Sequence, residues 1–506
     1  MVKRYLLVLL TACLWLSNSV AQTSDSLIVD CLQKEGVKFS HNNSVTLLMN
    51  GQEKFDDMFS AIRQARSSVH LEYFNFRNDS IANMLFDLLA EKVKEGVEVR
   101  ALFDAFGNSS NNRPLKKKHL KSIRQRGIEI YEFSPLRFPW INQVLHRDHR
   151  KIVIIDGQIA YTGGMNVADY YIKGTKQVGE WHDMHCRIDG DEVNTLQAIF
   201  LRIWNKTAKQ NVHGAKYYRG VRGGYYFEGL KPDTCATAGK KMVGIINREP
   251  RTTNRIIRTF YAGAINNAKD SIKIVTPYFT LIPKIKKALR KAAKRGVKVE
   301  VMISERSDIP LTPDCVFYNA HKMMKHGVDV WVYRPGFHHT KIIMVDGKFC
   351  TVGSANLDAR SMRFDYEENA VIVDPCTTRQ LNDMFERDKK KSFLLTPDCV
   401  FYNAHKMMKH GVDVWVYRPG FHHTKIIMVD GKFCTVGSAN LDARSMRFDY
   451  EENAVIVDPC TTRQLNDMFE RDKKKSFLLT PEYWKTQRTG WQKFRGWFAH
   501  LLAPWL

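Results

Sequence analysis

The chain has 506 residues, room for about three domains of ordinary size and for a large buried core. Hydrophobic residues make up 44% and charged residues 26%, a balance that excludes a disordered or fibrous chain. Lys and Arg outnumber Asp and Glu by 77 to 53, and the resulting charge of +24 favours phosphate-bearing partners, either nucleic acid or an anionic membrane surface.

Lys3 and Arg4 precede an apolar stretch from Tyr5 to Leu16, and Ser19-Val20-Ala21 follows. A basic start, a short apolar middle and small residues before a cut after Ala21 make residues 1–21 a secretory signal peptide. Leu10-Thr11-Ala12-Cys13 also fits a lipoprotein cleavage box, but the apolar stretch before it is short. No internal apolar run approaches the roughly 18 residues a membrane span needs, which excludes a polytopic membrane protein. Of the ten cysteines, Cys13 leaves with the signal; the others form no CxxC pair and no metal-ligand spacing with His, so no metal site is expected. Disulfides are compatible with export, and the sequence does not assign them.

Two halves then follow, each built from the same elements. Ser67–Phe74 parallels Asp270–Phe279, Gly96–Arg100 parallels Gly296–Glu300, and Gly127–Tyr131 parallels Gly327–Trp331. Each of the last two pairs is a short strand introduced by a glycine that ends a helix. The helices between them carry apolar residues at helical spacing, as in Ile81, Met84, Leu85, Leu88 and Leu89. Strand–helix–strand units of this length predict parallel strands with helices on the faces. The expected fold is therefore α/β, with two similar lobes at 30–235 and 240–394, each a mostly parallel sheet flanked by helices and with the active site between them.

Each lobe delivers the same signature. His149-Arg150-Lys151 runs into an apolar strand ending at Asp156-Gly157, and Gly163-Gly164-Met165-Asn166 follows. His339-Thr340-Lys341 runs into a strand ending at Asp346-Gly347, and Gly353-Ser354-Ala355-Asn356 follows. Residues two apart on a strand share a face, so the His and Lys of each motif project together. Asp-Gly predicts a hairpin turn. Two such sets facing each other place two imidazoles, two ammonium groups and two amides around one phosphate.

A second repeat is of a different kind. Leu311–Pro397 recurs without a change as Leu395–Pro481, 84 residues later, with a third motif at His423, Lys425, Asp430 and Asn440. Perfect identity means a very recent tandem duplication or an error in assembling the gene; one unit fewer leaves a parent of 422 residues, 506 less 84. The duplicate, 395–481, carries strands without a full sheet to join, and a tail at 482–506 mixes Trp, Phe and Leu with Lys and Arg. That tail, and Phe138-Pro139-Trp140-Ile141 before the first motif, fit either an interfacial segment or ordinary packing.

The paired His-x-Lys-x4-Asp motifs, each followed by Gly-[Gly/Ser]-x-Asn, resemble the phospholipase D superfamily. Within it the chain is most similar to bacterial cardiolipin synthases, through His146–Lys151, Thr276–Phe279, Ser354–Ser361 and Tyr366–Ala370. It departs from them in lacking two N-terminal membrane-spanning helices and in carrying three motifs. The resemblance implies that His149 attacks the phosphodiester phosphorus while His339 serves as acid and base, with these roles exchangeable. It implies that Lys151, Lys341, Asn166 and Asn356 hold the phosphate oxygens. Asp156 and Asp346 complete the motifs, more plausibly by orienting them than by touching phosphate. Glu367 is a candidate to hold an imidazole, with Asp183 a second candidate. No cofactor or metal is required, since the lysines supply the positive charge.

The implied reaction transfers a phosphatidyl group from one phosphatidylglycerol to another, releasing glycerol, at the periplasmic side of a bacterial membrane. Two alternatives stay open: a phospholipase D that hydrolyses lipid to phosphatidic acid, and a nuclease of the same superfamily. The main reading involves no nucleic acid and sets no oligomeric state.

Overall fold

A computed structural model describes residues 23–135, 145–220, 225–309 and 312–395, together with 407–408, 410–417, 419, 422–439, 451–478 and 480. The expected signal peptide, Phe138–Ile141, Asn440 and the tail at 482–506 lie outside the described residues. The chain divides into two compact units, one reaching Thr396 and the other running from Pro397 to Phe494.

In the first unit the first lobe supplies β1 (Phe39–Leu48), β2 (Ser68–Tyr73), β3 (Glu98–Asp104), β4 (Glu129–Phe133), β5 (Ile152–Ile155), β6 (Ile159–Gly163), β7 (Glu180–His182) and β8 (His185–Asp189). The second supplies β9 (Lys241–Arg248), β10 (Ser271–Val275), β11 (Lys298–Ser304), β12 (Val328–Tyr333), β13 (Gly336–His338), β14 (Ile342–Val345), β15 (Phe349–Gly353), β16 (Glu367–Val373) and β17 (Ser392–Leu394). Fifteen of these strands form one sheet, in the order β17-β12-β11-β10-β14-β15-β16-β9-β1-β8-β6-β5-β2-β3-β4. Read from either end, and leaving β17 aside, the order repeats. The antiparallel pair β1·β9 stands at the centre as a pseudo-two-fold join.

The expectation of mostly parallel sheets is corrected. In the first lobe only β2·β3 and β3·β4 are parallel, and in the second only β10·β11 and β11·β12. The strands after each motif arrive through a hairpin, which forces antiparallel pairing. Asp156 and Gly157 both have positive φ (55° and 65°), as do Asp346 and Gly347 (49° and 67°), the geometry a two-residue hairpin turn demands.

Helices cover both faces. Gly51–Arg63, Ser80–Lys94 and Lys117–Gln125 lie over the first lobe. Ile256–Asn267, Pro283–Lys294 and Thr312–Met324 lie over the second. On the opposite face Glu192–Ala208 and Pro375–Lys390 share one core, in which Ile152, Ala160 and Cys186 of the first lobe meet Ile342, Val352 and Ile372 of the second. A disulfide between Cys235 and Cys376, 5.9 Å apart at Cα, ties the segment between the lobes to the start of the helix Pro375–Lys390.

The second unit repeats local elements without their setting. β18 (Trp415–Tyr417) pairs with β22 (Ser476–Leu478), and β19 (Ile426–Val429), β20 (Phe433–Gly437) and β21 (Asn453–Ile456) make a separate three-stranded sheet. Among its described residues only Cys434, Thr435 and Thr462 are buried, whereas β14 and β15 of the first unit, identical to β19 and β20, are buried throughout.

Candidate active site

The register of the two lobes makes His149 equivalent to His339, Asn166 to Asn356 and Asp183 to Glu367, because Gly163 pairs with His185 as Gly353 pairs with Asn369. The backbone N–H of His149 donates to the carbonyl of Tyr366 at 3.0 Å, and that of His339 to the carbonyl of His182 at 2.6 Å. In each case the acceptor directly precedes a carboxylate of the opposite lobe. Each motif histidine is thereby delivered to a carboxylate it does not neighbour in sequence.

Nδ1 of His149 lies 3.2 and 3.1 Å from the two carboxylate oxygens of Glu367. Nδ1 of His339 lies 2.7 Å from Oδ2 of Asp183. Lys341 Nζ is also 2.7 Å from that nitrogen and 3.8 Å from Asp183. One ring nitrogen cannot both donate and accept. The arrangement with Nδ1–H donated to Asp183, and the ammonium donated to the His339 carbonyl, satisfies all three groups. Lys151 likewise donates to the carbonyl of His149.

Electrostatics follow from this packing. Burial alone raises the Asp183 carboxyl, but Lys341 and His339 outweigh it and hold it down to about 2. Burial is likewise overcome at Glu367 by His149 and Lys151, which hold it to about 2. Burial and then Lys151 push His149 down to about 4, so its ring is neutral at pH 7. His339 is lowered by burial and then by Lys341. Burial lowers Lys151, and brings Lys341 down to about 8.

Both histidines and both asparagines line one cavity of about 1040 Å³. Its wall includes Phe74, Phe106, Tyr170, Trp181 and Tyr278, with Arg77, Arg113, Lys176 and Arg360 among its cations. Asn166 Oδ1 accepts from the Asn75 N–H at 3.4 Å, while Asn356 Oδ1 is buried without a hydrogen-bond partner and is available to a donor in the cavity.

Asp156 and Asp346 do not line this cavity. Asp156 accepts the N–H groups of Arg66, Ser67 and Ser68 at 2.6–2.7 Å, and Asp346 those of Lys269, Asp270 and Ser271 at 2.8–2.9 Å. They anchor the turns before β2 and β10, a positioning role of the kind expected for them, without contact with the cavity. His423 of the duplicate is exposed, and Lys425 donates to its carbonyl at 2.8 Å. Asp430 is exposed at its hairpin turn.

Glu368 and Thr162 had no role in the sequence reading, and Ser354 entered it only as part of its motif. Glu368, pushed up to about 8 by burial, accepts from Thr162 Oγ1 at 2.7 Å and lies 3.0 Å from Ser354 Oγ, whose one hydroxyl hydrogen is donated to Glu367. Glu368 lies inside the quoted Tyr366–Ala370 stretch, but nothing local separates its role from that of Glu367.

A family model described as cardiolipin synthase, PLD-like domain, matches residues 58–204, 261–389 and 395–473. A cardiolipin synthase of Oceanobacillus iheyensis is 34% identical over 366 residues, 72% of this chain and 72% of the relative. Cardiolipin synthase 2 of Staphylococcus epidermidis is 36% identical over 360 residues, 71% of this chain and 70% of the relative. A phosphatidylserine synthase structure from Haemophilus influenzae superposes with a TM-score of 0.56 at 14% identity, covering 76% of this chain and 98% of its own, so it shares the fold. The chain belongs to the cardiolipin synthase family of phospholipase D-like proteins.

Proposed function

We propose that the protein is a cardiolipin synthase that transfers a phosphatidyl group between two phosphatidylglycerol molecules. The observation that carries the reading is the reciprocal pairing at the cavity: His149 with Glu367 and His339 with Asp183. Named relatives of the family and the aromatic wall of the cavity support a phospholipid substrate.

With Nδ1 tied to a carboxylate, Nε2 is the reacting atom of each ring. The Nε2 lone pair of His149 attacks phosphorus, the bond to the glycerol oxygen breaks, and His339 gives that oxygen its proton. The terminal hydroxyl of the second phosphatidylglycerol then loses its proton to His339 and attacks the phosphohistidine, and the P–N bond breaks. Lys151, Lys341, Asn166 and Asn356 stabilise the charge gathering on the non-bridging oxygens. The near-symmetry of the two lobes leaves the exchange of the two histidine roles open.

The proposed setting is the periplasmic surface of a bacterial membrane. The signal-like N-terminus and the Cys235–Cys376 disulfide support export, and exposed lysines such as Lys284, Lys287, Lys291 and Lys294 suit an anionic surface. Among the described residues no helix is long and apolar enough to cross a membrane.

The test is mass spectrometry of lipid products after incubation with phosphatidylglycerol bilayers. Cardiolipin with free glycerol is expected. Phosphatidic acid alone makes water the acceptor and the protein a phospholipase; no lipid product, with cleavage of nucleic acid, favours the nuclease.

A further inference from the structure

Behind the active site, three donors that the reaction does not use converge. His182 ends β7 and His338 ends β13, two strands that pair in parallel between the lobes with these residues in register. Asp388 reaches them from the helix Pro375–Lys390. Its Oδ2 lies 3.4 Å from Nε2 of His182 and 3.1 Å from Nε2 of His338, and the ligand atoms of the three residues all fall within 4.8 Å of one another. The two imidazoles stand 4.2 Å apart between centroids. Tyr333 closes one side, edge-on to both rings at 5.0 and 6.2 Å. His338 and Asp388 are buried, and His182 is partly open.

We propose that His182, His338 and Asp388 form a binding site for a first-row divalent transition metal, with zinc the best fit. Zinc holds nitrogen and carboxylate oxygen at about 2.0–2.2 Å in a tetrahedron, which sets neighbouring donor atoms about 3.3–3.6 Å apart. The 3.4 Å separation matches that edge, and the 3.1 Å one falls just below it. Two imidazoles and one carboxylate leave a fourth position for water. The duplicate gives an internal comparison. Its identical pair, His422 and Asp472, makes the same imidazole–carboxylate hydrogen bond at 2.9 Å, as His338 and Asp388 do at 3.1 Å, but with 33% and 25% side-chain exposure. A histidine from the first lobe separates the two settings.

The site has a mechanical consequence. His182 adjoins Asp183 and His338 adjoins His339, so a bound metal cross-links the ribbon on which the Asp183–His339 pair is mounted, joining both lobes to the helix Pro375–Lys390. It acts on stability and positioning rather than on the reacting phosphate.

Full-length protein stripped with a chelator is titrated with zinc chloride against a chromophoric competitor. One zinc per chain is expected, with affinity weakened by roughly tenfold or more in both Asp388→Asn and His182→Gln. Circular dichroism and the retained Cys235–Cys376 disulfide check that the variants fold. Independently of any variant, X-ray absorption of the zinc-loaded wild-type protein is expected to show two imidazoles and no sulfur, at about 2.0–2.1 Å for the nitrogens. Absence of zinc binding, a sulfur ligand, or wild-type affinity in either folded variant overturns the proposal.

Discussion

Nδ1 of His339 lies 2.7 Å from Oδ2 of Asp183, a residue of the other lobe and 156 positions away in sequence. Its pseudo-symmetric counterpart, His149 with Glu367, spans 218 positions. A lobe on its own therefore holds a histidine without its carboxylate and a carboxylate without its histidine. Asp183→Asn and Glu367→Gln are each expected to cut turnover by roughly 10²–10⁴-fold with little change in KM, the worth of acid–base catalysis by a correctly held imidazole. Cardiolipin formation measured at saturating lipid decides this, and turnover within a few-fold of wild type counts against the pairing.

The motif aspartates should behave differently. Asp156→Asn and Asp346→Asn each remove a charged acceptor from three backbone N–H groups at the start of a core strand. A loss of about 1–3 kcal/mol of stability is expected, read as a lower Tm, with turnover per folded molecule near wild type. A catalytic defect without a stability defect would falsify this placement.

Acid and base should act on different groups. The His149 ring is held at about 4, below its unfolded value, so the stability it contributes is full above about pH 6.5 and is lost as pH falls through 4. Asp183 and Glu367, both held near 2, contribute fully above about pH 4.3 and lose this as pH falls toward 2. Tm is thus expected to fall progressively in acid. On the alkaline side Lys341 loses its charge near 8, so a limb of decreasing activity is expected there. Lys341→Arg keeps its charge at all accessible pH and should move that limb upward; an unmoved limb assigns it to another group.

The identical copies can be separated by single substitutions. His149→Ala and His339→Ala are expected to abolish turnover, leaving less than about one part in a thousand, with lipid binding to vesicles intact. His423→Ala is expected to be near wild type, since His423 is exposed while His339 is buried against Asp183. Equal losses from His339→Ala and His423→Ala would mean that both copies are used.

The disulfide distinguishes the copies chemically. Cys376 is paired with Cys235, whereas its counterpart Cys460 is an exposed thiol. A maleimide is expected to label Cys460 in the native protein and Cys376 only after reduction, with Cys460→Ser resolving the two identical peptides. Reduction should lower stability by about 2–4 kcal/mol. Native labelling undiminished in Cys460→Ser would show that the pairing is different.

The elements around each motif were legible because their signals are local. Short apolar runs, apolar residues at helical spacing, helix-ending glycines and Asp-Gly turns reveal strands, helices and hairpins within a few residues of themselves, and two matching copies of His-x-Lys reveal a shared site. The balance of parallel and antiparallel pairs was misjudged, since the strand-helix-strand pattern describes β2 to β4 and β10 to β12 while the hairpin strands extend each sheet the other way.

What only the tertiary structure decided is partnership across the lobes. Asp183 and Glu367 look alike in sequence, and their exchange of histidines depends on the β1·β9 join and on the strand register on either side of it. The convergence of His182, His338 and Asp388, the pairing of Cys235 with Cys376, and the burial that separates His339 from His423 arise the same way. Identical residues in identical local order acquire different environments because burial and charge pairing are properties of the assembled sheet, not of the segment that enters it.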